Sequence, residues 1–504
     1  MSDPRPPPPS AFLLCDEDLA LATDLYQLTM AAAYLAEAGR VGEMPRATFE
    51  MWVRKLPERR SFLVFAGLEQ ALAALAGLRF GGEQIDYLRT LEPFAGVGAG
   101  FFDELAELRF RGDVRAMPEG TVFFPGEPVL AVTGSLLEAQ LVETLLLSIV
   151  NFQTAIASKA ARLRLAADGL TAGGAAAAEP GSVAGRIGRG VKVAEFGSRR
   201  AHGPQAAAWA ARAAWIGGVD STSNVLAGQR VGMPVVGTMA HSFVMAFGEE
   251  VDAFRSYQRT FPGHTILLVD TYDTLTGVRR ALEAEIPFEG VRLDSGDLGR
   301  LARETRRLLD EAGRGDAVIF ASGDMDEEKI SRLLADGAPI DAFGVGTRLA
   351  TSSDAPYLAG IYKLVEVVRG GERLPKFKAS AGKVTYPGPK QVLREVAETP
   401  EGEVMVGDRV LRLGDEARYP GARGLLVPAM RGGEALPEAD GGAAAAPPGS
   451  GGGGAAEARK RCLADLARLP PGLRSLGEGG APYPVTVDPG LEELLAERRE
   501  SVLG

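Results

Sequence analysis

His241 is the residue that first suggests chemistry, because it is one of three histidines in a chain of 504 residues. It stands in the sequence GTMAHSFV, residues 237–244. A neutral imidazole is a competent nucleophile, and an unperturbed pKa of about 6.5 leaves such a ring mostly uncharged at neutral pH. A single histidine, however, is more often a packed or loop-stabilising residue than a catalytic one. On this residue alone, both interpretations stay open.

Acidic residues, one arginine and a glycine-containing turn follow four successive short apolar segments. They are Asp270 to Asp273, then Arg292, Asp294 and Asp297, then Ser322 to Asp324, and last Gly344 to Thr347. An aspartate in such a place is often a helix N-cap, and for Asp297 and Asp326 we weigh capping and function equally. Together the four groups favour a site for a phosphorylated substrate. Backbone N–H groups and the Thr347 hydroxyl would hold the phosphate, and the carboxylates would hold Mg²⁺ or sugar hydroxyls.

Two adjacent arginines, Arg199 and Arg200, lie upstream in the sequence AEFGSRRAHGP, residues 194–204. Adjacent arginines usually form a solvated surface. These two lie in a glycine-flanked, otherwise apolar segment, which favours an anion site. The following sequence IGGVDSTSN, residues 216–224, is either an ordinary loop or a cradle for a small ligand.

The polar groups can form one site only if the strands and helices that carry them end at the same place. Four apolar runs, HTILLVD (264–270), GVRLD (290–294), AVIFASGD (317–324) and IDAFGVGT (340–347), alternate with segments whose apolar residues recur at helical spacing. Repeated strand–helix units predict a parallel sheet, either open or closed into a barrel. In both arrangements ligands bind at the carboxyl ends of the strands, where the polar residues fall.

Composition excludes several classes of protein. The net charge of −11 argues against nucleic acid as a partner, because phosphate binding needs a basic surface. Two cysteines cannot form a disulfide framework, which favours a reducing, cytoplasmic setting. The proline-rich N-terminus lacks the features of a signal peptide. The apolar stretch 135–150 contains two glutamates and predicts a buried helix, so we expect no membrane partner. Two Ala/Gly/Pro/Ser tracts, 171–182 and 438–456, predict flexible insertions.

Nine sequence motifs occur in the same order as in nicotinate phosphoribosyltransferase, and the chain resembles that family. They are DLYQLTM (24–30), EFGSRRAHGP (195–204), GGVDSTSNVLAG (217–228), GTMAHSFV (237–244), VDTYDTL (269–275), VRLDSGDL (291–298), FASGDMDE (320–327), FGVGTRLATS (343–352) and YKLVE (362–366). The resemblance covers roughly residues 15 to 430. Such a series is far more specific than any single motif.

The resemblance implies an irregular parallel α/β barrel of the type II phosphoribosyltransferase kind, with a second α/β domain formed from both chain ends. The expected division is a disordered N-terminus (1–12), the N-terminal part of the second domain (13–150), the catalytic barrel (151–355, with a flexible insertion at 171–190) and the C-terminal part of the second domain (356–504, with a low-complexity linker at 437–457).

The resemblance also implies an activity. Members of this family transfer the 5-phosphoribosyl group from phosphoribosyl pyrophosphate to nicotinate, which gives nicotinate mononucleotide and pyrophosphate in NAD salvage. ATP hydrolysis is coupled to the transfer, and the enzymes are classed as carbon–nitrogen ligases. The implied cofactor is Mg²⁺, the implied co-substrate is ATP, and the implied assembly is a cytoplasmic homodimer with sites near the interface.

Site residues follow from the same motifs. His241 would be phosphorylated by ATP and act in catalysis with Arg292 and Asp294, so the motif outweighs the structural interpretation of this histidine. The ligand contacts implied are, for nicotinate, Tyr26 of the partner subunit with Thr238, Arg292 and Arg199, and, for phosphoribosyl pyrophosphate, Arg200, Ser322, Gly323, Gly344, Gly346 and Thr347. Loss of pyrophosphate leaves positive charge on the ribose, so the site needs cations for the leaving group and carboxylates near the sugar. The metal ligands are left open.

Four alternatives remain. Nicotinamide phosphoribosyltransferase has a similar fold, but the motifs at 24–30 and 237–244 favour the acid substrate. Quinolinate phosphoribosyltransferase needs extra cations for a second carboxylate, and the sequence has no evident third arginine cluster. A non-catalytic nucleotide-binding relative need not keep a nucleophile such as His241. A phosphate-binding aldolase or isomerase would need a lysine or glutamate at a strand end, where this sequence has aspartate and arginine.

Overall fold

The structure is a computed structural model that describes residues 18–169, 190–379, 385–400, 402–437, 453–476 and 482–503. The predicted disordered N-terminus and the tract 171–182 lie outside the described residues. So does most of the tract 438–456, although a helix begins at Gly453, within its C-terminal end. The proposed domain boundaries stay predictions.

Helices and short antiparallel strands make up the first third of the chain. The helices are α1 (Leu25–Ala38), α2 (Leu68–Gly77), α3 (Gly82–Thr90), α4 (Ala99–Glu107), α5 (Leu136–Leu141) and α6 (Glu143–Ala167), and the strands are β1 (Arg46–Val53), β2 (Leu63–Val64), β3 (Asp113–Ala116), β4 (Val122–Phe123) and β5 (Pro128–Ser135). The buried helix predicted over 135–150 is confirmed as α5 and the start of α6. Ser135 and Glu138 form a capping box that begins α5.

Strands and helices alternate through the middle of the chain, as the four apolar runs predict. The strands are β6 (Lys192–Glu195), β7 (Ser221–Thr222), β8 (Ile266–Leu268), β9 (Gly290–Leu293), β10 (Val318–Ala321) and β11 (Ala342–Val345), and the helices are α7 (Pro204–Ile216), α8 (Val225–Val231), α9 (His241–Met245), α10 (Glu250–Thr260), α11 (Thr274–Glu283), α12 (Leu298–Glu311), α13 (Glu327–Ala335) and α14 (Thr347–Ala350). Asp297 and Asp326 each accept a backbone N–H bond as N-caps of α12 and α13. The capping interpretation is therefore confirmed for both residues.

Antiparallel strands dominate the remainder. They are β12 (Gly360–Arg369), β13 (Glu372–Pro375), β14 (Lys390–Thr399), β15 (Gly402–Arg412), β16 (Arg423–Gly424), β17 (Val427–Arg431), β18 (Glu434–Ala435) and β19 (Val485–Val487), with helices α15 (Gly453–Arg468) and α16 (Pro489–Leu503).

Two large sheets organise these elements. The six central strands form a parallel sheet in the order β7-β6-β11-β10-β9-β8. Strands from both ends of the chain form a seven-stranded antiparallel sheet, β13-β12-β1-β5-β3-β17-β18. The predicted parallel α/β unit with a second domain built from both chain ends is therefore confirmed. Closure of the parallel sheet into a barrel stays a prediction, because β7 and β8 are its end strands in this ladder.

Helix α6 packs between the two parts of the molecule. It contacts α7, α13 and α2, and its C-terminal half from Gln153 to Ala167 is entirely buried. Many of these buried residues are alanines, which allow close helix approach. A Cβ at Gly217, just after α7, would lie 2.2 Å from the Ala157 carbonyl oxygen of α6. Among the described residues, no helix is long and apolar enough to cross a membrane.

Buried ion pairs also hold α6 in place. Lys159 lies 2.6 Å from Glu327, the first residue of α13, and 2.8 Å from Asp354. Arg60 pairs with the same Asp354 at 2.9 Å. Because buried charges are costly without partners, this network fixes the first turn of α13 relative to α6 and to the N-terminal part.

We expect Asp354→Asn to destabilise the protein by about 2 kcal/mol or more at neutral pH. Burial alone would raise the pKa of Asp354, but Arg60 and Lys159 lower it from 3.8 to about 2. A depressed folded-state pKa gives stability that is present above the unfolded pKa and is lost as pH falls through about 2. Urea unfolding of wild type and variant from pH 7 to pH 2 should therefore show the difference shrink below pH 4.

The control is Glu311→Gln, which removes a carboxylate from a pair with Arg307 in which both side chains are 59% exposed. Such a surface pair contributes little, so this variant should unfold like wild type at every pH. A difference for Asp354→Asn that stays constant down to pH 2 would contradict the electrostatic explanation.

Candidate active site at the carboxyl ends of the parallel strands

Arg292 lies at the centre of a polar group at the carboxyl end of β9. Its Nε donates to the Ser322 hydroxyl at 2.8 Å, and its Nη1 donates to the Thr238 hydroxyl at 3.1 Å. Its Nη2 donates to Asp294 at 2.7 Å. The side chain is only 14% exposed. The structure thus brings together four residues that the sequence predicted from three separate motifs.

Asp294 accepts bonds from two of these neighbours. Its Oδ1 receives Nη2 of Arg292 and the hydroxyl of Ser322. Burial alone would raise the pKa of Asp294, but these hydrogen bonds and the Arg292 charge hold it below its usual range. The carboxylate is therefore ionised at neutral pH and balances the guanidinium charge.

Asp270, at the end of β8, supports the same loop. Its Oδ2 accepts the backbone N–H of Asp294 at 2.9 Å and the hydroxyl of Ser295 at 2.7 Å. Its Oδ1 is buried and has no hydrogen-bond partner among the described residues. A buried carboxylate oxygen without a partner is costly, so this atom is suited to a cation or a ligand hydroxyl.

His241 is the first residue of α9 and lies beside Asp294. Its Nε2 is 3.7 Å from Asp294 Oδ2, and its Nδ1 is 3.2 Å from the Thr271 hydroxyl. The side chain is 40% exposed, so a solute in the site can reach it. Sequence reasoning did not single out Thr271, although it stands in the same strand-end group as Asp270.

Phe196 is a site residue that the sequence analysis missed. It follows β6, and its ring lies 5.7 Å from Arg292 Cζ and 5.5 Å from the parallel ring of Phe320. A Cβ at Gly344 would lie 2.8 to 2.9 Å from these two rings, so this glycine makes room for them. The signal was present in the motif EFGSRR, where an aromatic residue directly precedes the predicted anion loop.

The predicted anion-binding loops are neighbours because β6 and β11 pair in the sheet. The backbone N–H of Phe196 donates to the Val345 carbonyl at 2.8 Å, and Gly346 packs against the Phe196 carbonyl. Arg199, Arg200 and Thr347 all have exposed side chains. Their loops are therefore placed side by side, with these polar groups facing solvent.

Glu195, the last residue of β6, is a second residue that the sequence analysis missed. It is 1% exposed, and it accepts the Thr222 hydroxyl at 2.6 Å and the backbone N–H of Gly197. Burial raises the pKa of this carboxyl group. Asn224, two residues after Thr222, donates in turn to Ser198 at 3.0 Å. Glu195 thus ties the arginine loop to the loop after β7.

Gly323 follows β10 with a left-handed backbone, φ +90°. A Cβ there would lie 1.9 Å from the backbone carbonyl oxygen of Asp294. We expect Gly323→Ala to destabilise the protein by roughly 2 to 4 kcal/mol and to displace Asp294, because strain and clash add. Gly263→Ala is the control, since φ there is +77° but no heavy atom lies within 4 Å. Equal unfolding free energies for the two variants would contradict this close packing.

Tyr26, a further predicted site residue, belongs to the N-terminal part of the chain. It lies on α1, which packs against α4 and α5, and its side chain is 49% exposed. Burial, Glu143 and Asp24 raise its pKa, which shows that its neighbours belong to the N-terminal part. In the ranges that the structure covers, nowhere do three or more His, Cys, Asp or Glu side chains gather as a metal site.

Two family models match the chain. One, described as nicotinate phosphoribosyltransferase (NAPRTase) N-terminal domain, matches residues 21–151. The other, described as quinolinate phosphoribosyl transferase, C-terminal domain, matches residues 182–355. The second match covers every strand of the parallel sheet.

Similar proteins carry related names. A nicotinate phosphoribosyltransferase of Mycobacterium tuberculosis is 42% identical over 96% of this chain and 94% of its own length. One from Bacillus subtilis is 43% identical over 76% of this chain and 74% of its own. The crystal structure of human nicotinic acid phosphoribosyltransferase aligns with a TM-score of 0.74 and 30% identity, covering 94% of this chain and 99% of that one. A nicotinate-nucleotide pyrophosphorylase from Pyrococcus furiosus aligns with a TM-score of 0.67 and 26% identity, covering 91% and 98%.

Proposed function

Because the chain belongs to the nicotinate phosphoribosyltransferase family, we propose that it transfers the 5-phosphoribosyl group of phosphoribosyl pyrophosphate to nicotinate. The products are nicotinate mononucleotide and pyrophosphate, and ATP is hydrolysed in the same cycle. The observation that carries this proposal is the Arg292 group. It offers a single, largely buried guanidinium to a planar carboxylate beside an aromatic ring.

Nicotinate binds with its carboxylate on Arg292 and the Thr238 hydroxyl. The Phe196 ring, which lies over Arg292, gives the pyridine ring a surface on which to stack. Tyr26 of the partner subunit covers the opposite face of the pyridine, and Arg199 lies at the edge of this pocket. The exposure of Tyr26 on its own chain supports that arrangement.

Phosphoribosyl pyrophosphate binds across the adjoining strand ends. The 5′-phosphate is held by Thr347 and the backbone of Gly346, with Gly344 beneath them, and Ser322 and Gly323 lie beside the ribose. Arg200 faces the pyrophosphate. The pairing of β6 with β11 supports this division, because it places the arginine loop next to the Gly346–Thr347 turn.

Bond breaking at C1 leaves positive charge on the ribose, and Asp294 stabilises it electrostatically. The pyridine nitrogen then forms the new bond to C1, and pyrophosphate leaves with the electron pair of the broken bond. Mg²⁺ neutralises the phosphates of the two substrates when it is bound. The unpartnered Oδ1 of Asp270 fits a cation, and this residue would hold Mg²⁺ together with phosphate oxygens.

ATP acts through His241. A ring nitrogen attacks the γ-phosphorus, an N–P bond forms, and ADP leaves with the electrons of the broken P–O bond while the ring releases a proton to water. Water later cleaves the N–P bond and gives phosphate. The exposed position of His241 beside Asp294 supports this role.

The active assembly is a homodimer in the cytoplasm, with no nucleic-acid partner. On α1, Leu25, Tyr26 and Met30 are 46%, 49% and 37% exposed, and on α8 Val225 and Leu226 are 72% and 50% exposed. Adjacent exposed apolar side chains of this kind mark protein–protein contacts. Burial of α1 against a second copy would bring Tyr26 to the other subunit's site.

The test is product formation by the purified protein with phosphoribosyl pyrophosphate and Mg²⁺, with nicotinate, nicotinamide and quinolinate offered separately. Formation of nicotinate mononucleotide from nicotinate alone, with more product when ATP is added, is the expected result. Turnover of quinolinate would favour the activity named by the second family model, which matches residues 182–355. No turnover of any base would favour a nucleotide-binding relative without activity.

A further inference from the structure

Arg292 is already occupied in the structure, before any ligand binds. Its Nη2 is bonded to the ionised Asp294 at 2.7 Å, and its other nitrogen atoms donate to Ser322, Thr238 and the carbonyl of Met239. A guanidinium has five N–H groups, so few remain for a ligand. A nicotinate carboxylate must therefore compete with Asp294 for the same cation.

Asp294 also faces His241. Its Oδ1 is bonded to Arg292, whereas its Oδ2 lies 3.7 Å from His241 Nε2. Both oxygens belong to one planar carboxylate, so a movement of Oδ2 also moves Oδ1. A group bound to Nε2 of His241 would therefore also change the position of Asp294 Oδ1, which holds Arg292.

Nε2 is the ring nitrogen that is free to react. Nδ1 lies 3.2 Å from the Thr271 hydroxyl and is engaged in a hydrogen bond with it. The oxygen atoms of a phosphoryl group on Nε2 would reach the space now taken by Asp294 Oδ2. They would also bring about two negative charges next to a carboxylate. Contact and repulsion act in the same direction, and both displace the Asp294 carboxylate.

We propose that Asp294 transmits the phosphorylation of His241 to Arg292, and thereby makes nicotinate binding depend on ATP. This inference rests on the proposed function, in which ATP phosphorylates His241. With the imidazole unmodified, Asp294 holds Nη2 of Arg292. With a phosphoryl group on Nε2, Asp294 moves aside and Nη2 pairs with the carboxylate of nicotinate. Asp294 is a positioning residue in this step, in addition to its electrostatic role near the ribose.

The first experiment measures nicotinate binding without ATP, by calorimetry, for wild type and Asp294→Asn. A neutral amide holds Arg292 less strongly, so the variant should bind nicotinate more tightly than wild type, by on the order of tenfold. Adding ATP and Mg²⁺ should tighten binding by a similar factor in wild type and by less than about threefold in the variant.

Asp297→Asn is the matched control. Asp297 lies in the same loop and carries the same charge, but its carboxylate caps α12, a role that asparagine also fills. This variant should keep the wild-type affinity and the wild-type response to ATP. The proposal is overturned if Asp294→Asn binds nicotinate no more tightly than Asp297→Asn in the absence of ATP.

A second pair of variants keeps Asp294 intact. His241→Glu places a carboxylate near Asp294 Oδ2, and His241→Gln places a neutral group of similar size there. Without ATP, His241→Glu should bind nicotinate several-fold more tightly than His241→Gln. Equal affinities would overturn the proposal. Failure of the proposed function is a different result, in which wild type forms no nucleotide from nicotinate.

Discussion

Replacing Arg292 with alanine should raise the KM for nicotinate by at least about thirtyfold, because removing one partner of a buried charge pair costs about 2–5 kcal/mol. In the free protein Arg292 is 14% exposed and bonded to Ser322, Thr238 and Asp294. The guanidinium fork matches a planar carboxylate with two parallel bonds. Steady-state kinetics with nicotinate as the varied substrate measures the effect.

Two comparisons separate binding from general damage. Arg292→Lys keeps the charge but loses the planar fork, so its KM should lie between those of wild type and alanine variant. Arg300→Ala removes an exposed arginine from the first turn of α12, where it pairs with Glu304, and should leave the KM unchanged. Incorporation of phosphate from ATP into His241 should persist in Arg292→Ala. Equal nicotinate affinity in wild type and Arg292→Ala would remove this residue from the carboxylate role.

Local signals explain why the parallel sheet was predictable. Each βα unit of the central region places a short apolar run before an amphipathic helix, and such patterns are readable within some thirty residues. The polar residues at strand ends then share one edge, because parallel strands point the same way. Arg292, Asp294 and Ser322 could therefore be placed together from the sequence.

The same reasoning could not decide between two roles that use the same residue type. Asp297 and Asp326 end strand–loop segments just as Asp294 does, yet the structure shows them capping helices. The difference is set by the loop backbone, and no composition signal reports it. Gly344 is similar: a glycine between strand and turn fits a phosphate loop, but its lack of a side chain also admits the rings of Phe196 and Phe320.

Roles that depend on tertiary contact could not be assigned from the sequence. Glu195 is bonded to Thr222, twenty-seven residues away, and Thr271 reaches His241 across thirty. The pairing of β6 with β7 and the position of α9 create these contacts, and neither is encoded by local periodicity. The seven-stranded sheet is a further example, since β12 pairs with β1 across most of the chain.

His241→Ala should abolish the stimulation of nucleotide synthesis by ATP while leaving a slow transfer from phosphoribosyl pyrophosphate to nicotinate. The reason is that the groups expected to bind the two substrates, from Arg292 to Thr347, remain in place, whereas the imidazole beside Asp294 is lost. The stimulation, measured as the ratio of kcat/KM for nicotinate with and without ATP, should fall to within about twofold of one, because the coupling free energy then vanishes.

The matched control for this variant is His264→Ala, since His264 is an exposed histidine before β8 and outside the group around Arg292. It should retain the wild-type response to ATP and the acid-labile phosphate that mass spectrometry detects on His241. Asp294 remains ionised in His241→Ala and still holds Arg292, so this variant should also keep the weak nicotinate binding of wild type without ATP. ATP stimulation that survives the loss of His241 would show that coupling runs through another group, and would leave the imidazole a structural residue at the start of α9.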